Sequence, residues 1–288
     1  MPTSERITPG FLRAWPLPDP GGSKYSRGQV LVVGGSRRSP GAALLSGRAA
    51  LRVGAGRLTL AIGESVGVAT AVALPECGVV LLPESRDGSV RGFGLRAASP
   101  DLARADAVLA GPGLDDAGET AKMLRYLGRV TARAATLVLD AYALGALAGR
   151  PGLAGGGRRI LTPNTDEAER LLGRRAGDLD TDVLAIARRY RAVVSCFGRI
   201  ASPDGRLLTI DDQVPGLGTS GSGDVLSGAI AGLAARGCEP LQAAAWGTYL
   251  HVAAGMSLSK AVAPVGFLAS EIVERLAYEV VEVGRAER

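Results

Sequence analysis

Short apolar runs alternate with segments of helical length along most of this chain. The run Gln29–Val33 has no charged residue, is rich in β-branched side chains and is followed by two glycines. Such runs are typical of strands buried on both faces of a parallel sheet. Further strands are predicted at Arg57–Ile62, Val79–Leu82, Ala107–Ala110, Thr136–Asp140, Arg159–Thr162 and Ala192–Cys196. The alternation predicts an α/β fold in three layers, with helices on both faces of a mostly parallel sheet.

Two regions depart from this alternation. The runs Arg199–Ser202 and Leu207–Ile210 flank a Pro-Asp-Gly turn at residues 203–205, which predicts an antiparallel hairpin. Residues 1–23 are rich in proline, and we predict an extended arm that packs on the domain or on a partner subunit. No linker or repeat interrupts residues 24–288, so a single domain is expected there.

Charge and cysteine content exclude several classes of protein. The net charge of +5 suits an anionic small molecule, but no basic block carries interleaved aromatic residues, so nucleic acid is not expected as a partner. Three cysteines without metal-ligand spacing argue against a disulfide scaffold and a zinc site. The N-terminus lacks the apolar core of a signal peptide, and polar residues interrupt the apolar run Pro240–Ser259. We therefore predict a cytoplasmic protein without a membrane span.

Glycine, proline and polar residues directly follow several predicted strands. Ligands bind outside the carboxyl ends of the strands in open parallel sheets, so these segments are expected to form one site. They are Gly34–Gly41, Gly111–Gly113, Asp140, Thr162–Glu167 and the loop that begins at Gly218. The first segment lacks the P-loop lysine and the Rossmann spacing. It is either a turn that starts a helix or a backbone wall near a substrate, with Ala42 and Ala43 small enough to admit it.

The densest glycine segment, Gly218–Gly228, leads into a predicted helix at Val225–Arg236. Glycines allow the backbone to approach a ligand closely, and the first N–H groups of a helix bind anions, so the segment suits a phosphate group. Asp224 at the helix start would repel a bound anion unless it takes a proton or holds a metal, which suggests a catalytic base. The alternative is a tight turn in which Asp224 is only an N-cap.

Other polar residues have two interpretations each. Asp140 is either a carboxylate of the site or a solvated cap. Asn164 and Glu167, three residues apart at a helix start, suit a hydrated Mg²⁺. The same pair matches a capping box, which the local sequence favours. His251, the only histidine, lies in an apolar helix, where a core or interface role is favoured over catalysis.

In combination, these motifs are more specific than any one of them. The chain resembles the ADP/ATP-dependent NAD(P)H-hydrate dehydratases of the ribokinase-like superfamily in the segments Lys24–Ser36, Pro40–Ala43, Ala110–Leu114, Val138–Leu144, Leu161–Leu172, Pro203–Gly205 and Gly218–Leu226. The resemblance implies a stand-alone enzyme that returns the S form of hydrated NADH or NADPH to NAD(P)H, while ADP becomes AMP and phosphate. It also implies ADP or ATP as co-substrate, Mg²⁺, a homotetramer and a functional pairing with a separate NAD(P)H-hydrate epimerase.

The resemblance also implies roles for single residues. Asp224 would remove the proton of the substrate hydroxyl group. The positions that match the family's substrate pocket are Ala42, Ala43, Gly113, Asn164 and Asp224. Those that match its nucleotide site are Ser195, Cys196, Phe197, Gly198, Arg199, Gly221, Ser222 and Gly223.

Two segments depart from the family pattern. Asn164 stands where the family usually has histidine, and residues 195–199 lack the usual lysine, whose charge Arg199 would have to replace. The Asn164–Glu167 spacing also matches the metal motif of the superfamily's sugar and vitamin kinases. Two alternatives therefore stand: an ATP-dependent kinase for a small alcohol, and a nucleotide-binding protein that has lost catalysis.

Overall fold

Strands of the computed structural model form one ten-stranded sheet. The structure describes residues 4–19, 21–131 and 135–285. The strands are β1 Ser4–Arg6, β2 Gln29–Val33, β3 Arg57–Gly63, β4 Cys77–Leu82, β5 Ala107–Ala110, β6 Thr136–Leu139, β7 Arg158–Leu161, β8 Val193–Cys196, β9 Arg199–Ala201 and β10 Leu207–Thr209. Their order across the sheet is β1-β10-β9-β8-β7-β6-β5-β2-β3-β4.

Strands β2 to β8 all pair in parallel, as the continuous apolar runs predict. Strand β9 pairs antiparallel with both β8 and β10, which confirms the predicted hairpin. Because β2 and β5 are neighbours, the strand order reverses between them. Their carboxyl ends therefore form the crevice where ligands bind in open α/β sheets.

Helices cover both faces of this sheet. They are α1 Pro9–Arg13, α2 Pro40–Arg52, α3 Gly67–Ala73, α4 Ser99–Leu102, α5 Ala117–Val130, α6 Tyr142–Leu147, α7 Thr165–Leu172, α8 Leu179–Tyr190, α9 Ser222–Ala235, α10 Pro240–Ala261 and α11 Ala269–Gly284. Short 3₁₀ turns lie at Glu64–Val66, Gly92–Ala98 and Pro215–Gly218. One buried cluster joins α2, α9, α10 and α11 to the sheet, and a second joins α5 to α8 to the opposite face. The two clusters confirm the predicted three layers.

Small residues allow α2 and α9 to pack closely. A methyl group added at Gly228 would collide with the backbone of Ser46, and one added at Gly232 would lie 2.5 Å from the carbonyl oxygen of Ala50. Ala49 and Ala229 are fully buried in the same layer. The contact between α2 and α9 is therefore built from alanine and glycine, which agrees with an aromatic content of only 4%.

The N-terminal segment packs on its own chain. Strand β1 pairs in parallel with β10, and helix α1 begins after Thr8, whose hydroxyl group accepts a hydrogen bond from the Phe11 N–H at 3.1 Å. Neither element was expected in a proline-rich arm, because local composition does not report pairing with a strand about 200 residues away. Among the described residues, no helix is long and apolar enough to cross a membrane.

Candidate active site

Two glycine-containing loops meet at the crevice between β2 and β5. The Gly35 N–H donates to the carbonyl oxygen of Pro112, and the Ser36 N–H donates to that of Gly113, both at 2.9 Å. Gly113 has a φ of +70°, and a side chain there would collide with the backbone of Ser39 and crowd Ala42 at 3.2 Å. The structure therefore brings Gly113 and Ala42 together, as predicted for a substrate pocket. Ala43, the third small residue predicted there, is fully buried beneath the loop.

The glycine loop, residues 218–224, ends in the first turn of α9. Gly221 is the N-cap residue with a φ of +87°, a left-handed conformation that favours glycine. The helix begins at Ser222, earlier than the predicted Val225, so Asp224 occupies the third helical position. The interpretation of Asp224 as an N-cap is therefore wrong. Open space surrounds Gly218 and Gly223, since a methyl group added at either would meet no heavy atom within 4 Å.

Two carboxyl groups near this loop interact electrostatically, the buried Asp140 and the partly buried Asp224. Burial raises the pKa of Asp224 to about 6. Burial, followed by repulsion from Asp224 and then from Glu167, raises the pKa of Asp140 to about 7, although hydrogen bonds from Ser227 and Thr162 oppose the shift. The Thr162 hydroxyl group donates to Asp140 Oδ1 at 3.0 Å. Asp140 is buried and is therefore not a solvated cap. A carboxylate with a pKa near 6 is mostly ionised at neutral pH and is still basic enough to accept a proton.

Asn164 and Glu167 form a capping box at the start of α7. Asn164 Oδ1 accepts from the Glu167 N–H, and Glu167 Oε2 accepts from the Asn164 N–H, both at 2.9 Å. The capping interpretation is therefore correct. The described residues contain no group of three histidine, cysteine or acidic side chains that could hold a metal ion. A hydrated Mg²⁺ at Asn164 and Glu167 stays a prediction.

The β8–β9 turn, residues 195–199, lies at the carboxyl end of β8. Ser195 and Cys196 are buried, and burial raises the pKa of the Cys196 thiol to about 12, so this thiol does not supply charge to a ligand. Phe197 and Gly198 form the turn with φ angles of +46° and +72°. The Phe197 side chain is 68% exposed, so the turn presents an aromatic ring to solvent.

Arg199 is occupied by two ion pairs within its own chain. Its Nε lies 2.8 Å from Asp180 Oδ1, and its NH1 lies 3.1 Å from Asp211 Oδ1. The same guanidinium group donates to the carbonyl oxygen of Ile210 at 3.3 Å. These contacts direct the charge toward α8 and the segment after β10. If Arg199 replaces the missing lysine, its guanidinium group must break the ion pair with Asp180 or with Asp211, or contact the nucleotide through the N–H groups that these pairs leave unused.

A family model described as NAD(P)H-hydrate dehydratase matches residues 30–277, which include both loops, Asp140 and Asp224. The chain belongs to this family.

Two relatives of this dehydratase-family chain show how far the similarity extends. The ADP-dependent (S)-NAD(P)H-hydrate dehydratase of Xanthomonas campestris is 45% identical in a 283-residue alignment that covers 94% of each chain. A bifunctional NAD(P)H-hydrate repair enzyme of Moorella thermoacetica is 38% identical over 91% of this chain, but the match covers only 51% of that protein. The chain thus spans about half the length of the bifunctional relative.

A solved structure supports the same assignment. The ADP/ATP-dependent NAD(P)H-hydrate dehydratase of Bacillus subtilis, co-crystallised with ATP and Mg²⁺, superposes with a TM-score of 0.80 at 28% identity. The match covers 97% of this chain and 98% of that one. The ribokinase-like fold expected from the resemblance is confirmed.

His251 connects this dehydratase site to the core. Its Nε2 lies 2.9 Å from Ser222 Oγ, and burial lowers its pKa to about 4. Sequence reasoning treated this histidine as a core residue and did not connect it to Ser222. The sequence does indicate that His251 has a polar neighbour, because Thr248 and His251 lie three positions apart, on one face of a largely apolar helix.

Proposed function

We propose that the chain catalyses the ADP-dependent dehydration of the S form of NAD(P)H hydrate, which regenerates NAD(P)H and yields AMP and phosphate. The reaction is that of a carbon–oxygen lyase and repairs a damaged metabolite. Family membership and the 45% identity to an ADP-dependent (S)-NAD(P)H-hydrate dehydratase support the assignment. Asp224, at the start of α9 beside the open glycine loop, is the structural observation that carries it.

The chemistry requires a better leaving group than hydroxide. Asp224 removes the proton of the ring hydroxyl group, whose oxygen attacks the β-phosphorus of ADP while the bond to AMP breaks. The ring nitrogen then donates its electron pair as the C–O bond breaks, phosphate leaves, and loss of a ring proton restores the double bond of NAD(P)H. The pKa of about 6 leaves Asp224 ionised at neutral pH and able to start this sequence.

The glycine loop supplies charge stabilisation. The N–H groups of Gly221 and Gly223 lie at the positive end of the α9 dipole, where negative charge develops on the transferring phosphoryl group. The Ser222 N–H, predicted with them, donates to the carbonyl oxygen of Thr219 at 3.2 Å and would have to leave it to contact that group. The open space above Gly223 leaves room for that group. Ala42 and Gly113 would form the substrate wall above the buried Ala43, with the Asn164 amide at its rim and the β8–β9 turn beside the nucleotide. These residue roles are part of the proposal.

Mg²⁺ would neutralise phosphate charge on the nucleotide. It usually keeps several waters and takes one or two carboxylates together with phosphate oxygens, so an all-protein cage is not required. Glu167 fits this pattern because the capping box uses Oε2 and leaves a second carboxylate oxygen. Asn164 has its Oδ1 engaged in the same box, so it would contact the ion or its waters through its remaining acceptor capacity.

The decisive experiment supplies the purified protein with hydrated NADH or NADPH, Mg²⁺ and either ADP or ATP. We expect the absorbance of NAD(P)H to appear together with AMP and phosphate when ADP is present. Accumulation of a phosphorylated alcohol without NAD(P)H would instead support the kinase alternative. Nucleotide binding without any turnover would support a degenerate binding protein.

Location and assembly complete the proposal. All three cysteines are free thiols, which agrees with a reducing cytoplasm. We also propose a homotetramer, for which exposed valines on α3, Val68 and Val72, offer apolar contact surface. A separate epimerase would supply the S form, as the bifunctional relative suggests. Light scattering of the purified protein tests the tetramer.

A further inference from the structure

Helix α10 carries two polar side chains that reach both segments of the proposed nucleotide site. Thr248 Oγ1 lies 2.7 Å from Ser195 Oγ at the end of β8. His251 Nε2 lies 2.9 Å from Ser222 Oγ and 3.0 Å from the Ser222 carbonyl oxygen at the start of α9. Residues three positions apart lie on the same face of a helix. One face of α10 therefore contacts the β8–β9 turn and the glycine loop.

All four side chains are buried, with relative exposures of 2% for Ser195, 4% for Ser222, 3% for Thr248 and 7% for His251. A buried polar group that loses its hydrogen-bond partner is destabilising, so these contacts restrain the residues they join. The surrounding part of α10 is apolar, including the fully buried Leu250 and Ala254. Thr248 and His251 are therefore buried polar side chains among apolar neighbours, and each contacts one of the two segments of the proposed site.

His251 makes this contact in its neutral form. Burial lowers its pKa to about 4, so the ring carries no charge near neutral pH. A protonated Nε2 can donate to the Ser222 carbonyl oxygen, and an unprotonated Nε2 can accept from the Ser222 hydroxyl group. Either tautomer therefore restrains Ser222 from the side of α10. The next residue, Gly223, is open, since a methyl group added there would meet no heavy atom within 4 Å.

We propose that Thr248 and His251 are positioning residues that fix the β8–β9 turn and the glycine loop relative to each other, so that one nucleotide can contact both. This inference rests on the proposed function. Backbone N–H groups stabilise a transferring phosphoryl group only when they are already aimed at it, and a displacement of about 1 Å in an active site can cost a hundredfold in rate. A single rigid helix behind both segments prevents such a displacement.

The test compares four variants of the full chain. His251→Leu and Thr248→Val each remove one hydrogen bond to a loop, and His251→Gln restores an amide donor and acceptor near the position of Nε2. Gln242→Leu is the matched control, because it removes buried hydrogen bonds from the same helix to Trp15 and Pro16, about 13 Å from His251. The measurements are ADP affinity by calorimetry, kcat and KM for ADP, the pH profile and the melting temperature.

We expect His251→Leu and Thr248→Val to weaken ADP binding about tenfold, which corresponds to about 1.4 kcal/mol. His251→Gln should recover most of this loss, and Gln242→Leu should lower only the melting temperature. Unchanged ADP affinity in both loop variants, with melting temperatures lowered as in the control, would overturn the proposal. So would the disappearance of an inflection from the pH profile of His251→Gln, since that outcome identifies proton transfer. If the natural chain binds ADP without regenerating NAD(P)H, the proposed function fails while the affinity comparison still tests the helix.

Discussion

The glycine loop and the β8–β9 turn lie at the same edge of the sheet, and both are proposed to bind nucleotide, but they are built in opposite ways. The glycine loop leaves open space at Gly218 and Gly223 and places the partly buried Asp224 beside it. In the turn, the Arg199 charge is paired with Asp180 and Asp211, and the Cys196 thiol is buried and uncharged. Glycine conformation and a helix N-terminus thus create an anion site without a charged side chain, whereas a charged side chain helps to bind an anion only if its ion-pair partners release it.

Asp224→Asn should have the largest effect. The amide keeps the shape of the side chain but cannot accept the hydroxyl proton, so we expect kcat to fall about a thousandfold. ADP affinity should stay within threefold, because the glycine N–H groups are unchanged. Single-turnover NAD(P)H formation measures the first effect and calorimetry the second. Normal turnover by the variant would remove Asp224 from the mechanism and weaken the contrast between the two loops.

Gly223→Val tests whether the open space is the binding surface. The Cβ atom of the added side chain would meet no atom of a neighbouring segment within 4 Å, so the fold should tolerate the valine. It would occupy the space assigned to the phosphoryl group, and we expect ADP affinity to fall about a hundredfold. Gly284→Val, at another helical glycine with open surroundings, is the matched control and should leave affinity unchanged. Equal affinity in the two variants would mean that the nucleotide does not bind at the glycine loop.

Asp140→Asn should change the pH dependence of stability. Folding raises the pKa of Asp140 to about 7 from an unfolded value of 3.8. The protonated side chain therefore contributes fully to the free energy of unfolding below about pH 4, and this contribution is lost as pH rises through 7. The amide cannot ionise, and the variant should therefore gain about 2 kcal/mol relative to the natural chain between pH 5 and pH 8. Urea unfolding at both pH values, in chelator and without nucleotide, measures the difference. If the free energies of unfolding of the natural chain and the variant changed equally with pH, Asp140 would ionise as freely as an exposed carboxyl group.

Arg199→Lys should have the smallest effect. Lysine lacks the forked guanidinium group that bridges Asp180 and Asp211, so the melting temperature should fall by a few degrees. We expect KM for ADP to change less than threefold, because the charge at this position is directed at carboxylates. A tenfold change in KM at an unaltered melting temperature would show that Arg199 does replace the family's lysine, and the two loops would then be more alike than their structures suggest.

Much of the fold could be predicted because its strands are locally encoded. The strands Gln29–Val33 and Ala107–Ala110 occur with the predicted bounds. The start of α9 was placed three residues late, because a glycine N-cap and two small residues carry little local helical signal. Strand β1 was missed because its only stabilising partner, β10, is distant in sequence.

The sequence by itself determined the layered α/β fold, the family and the residues at the carboxyl edge of the sheet, since strand patterns and ordered motifs are local properties. The tertiary structure decided what those residues can do. It placed Asp224 close enough to Asp140 to raise the pKa of that carboxyl group, paired Arg199 with two carboxylates, and brought His251 to Ser222. Burial, charge separation and hydrogen-bond distance depend on which distant segments pack together, and a linear pattern does not report that.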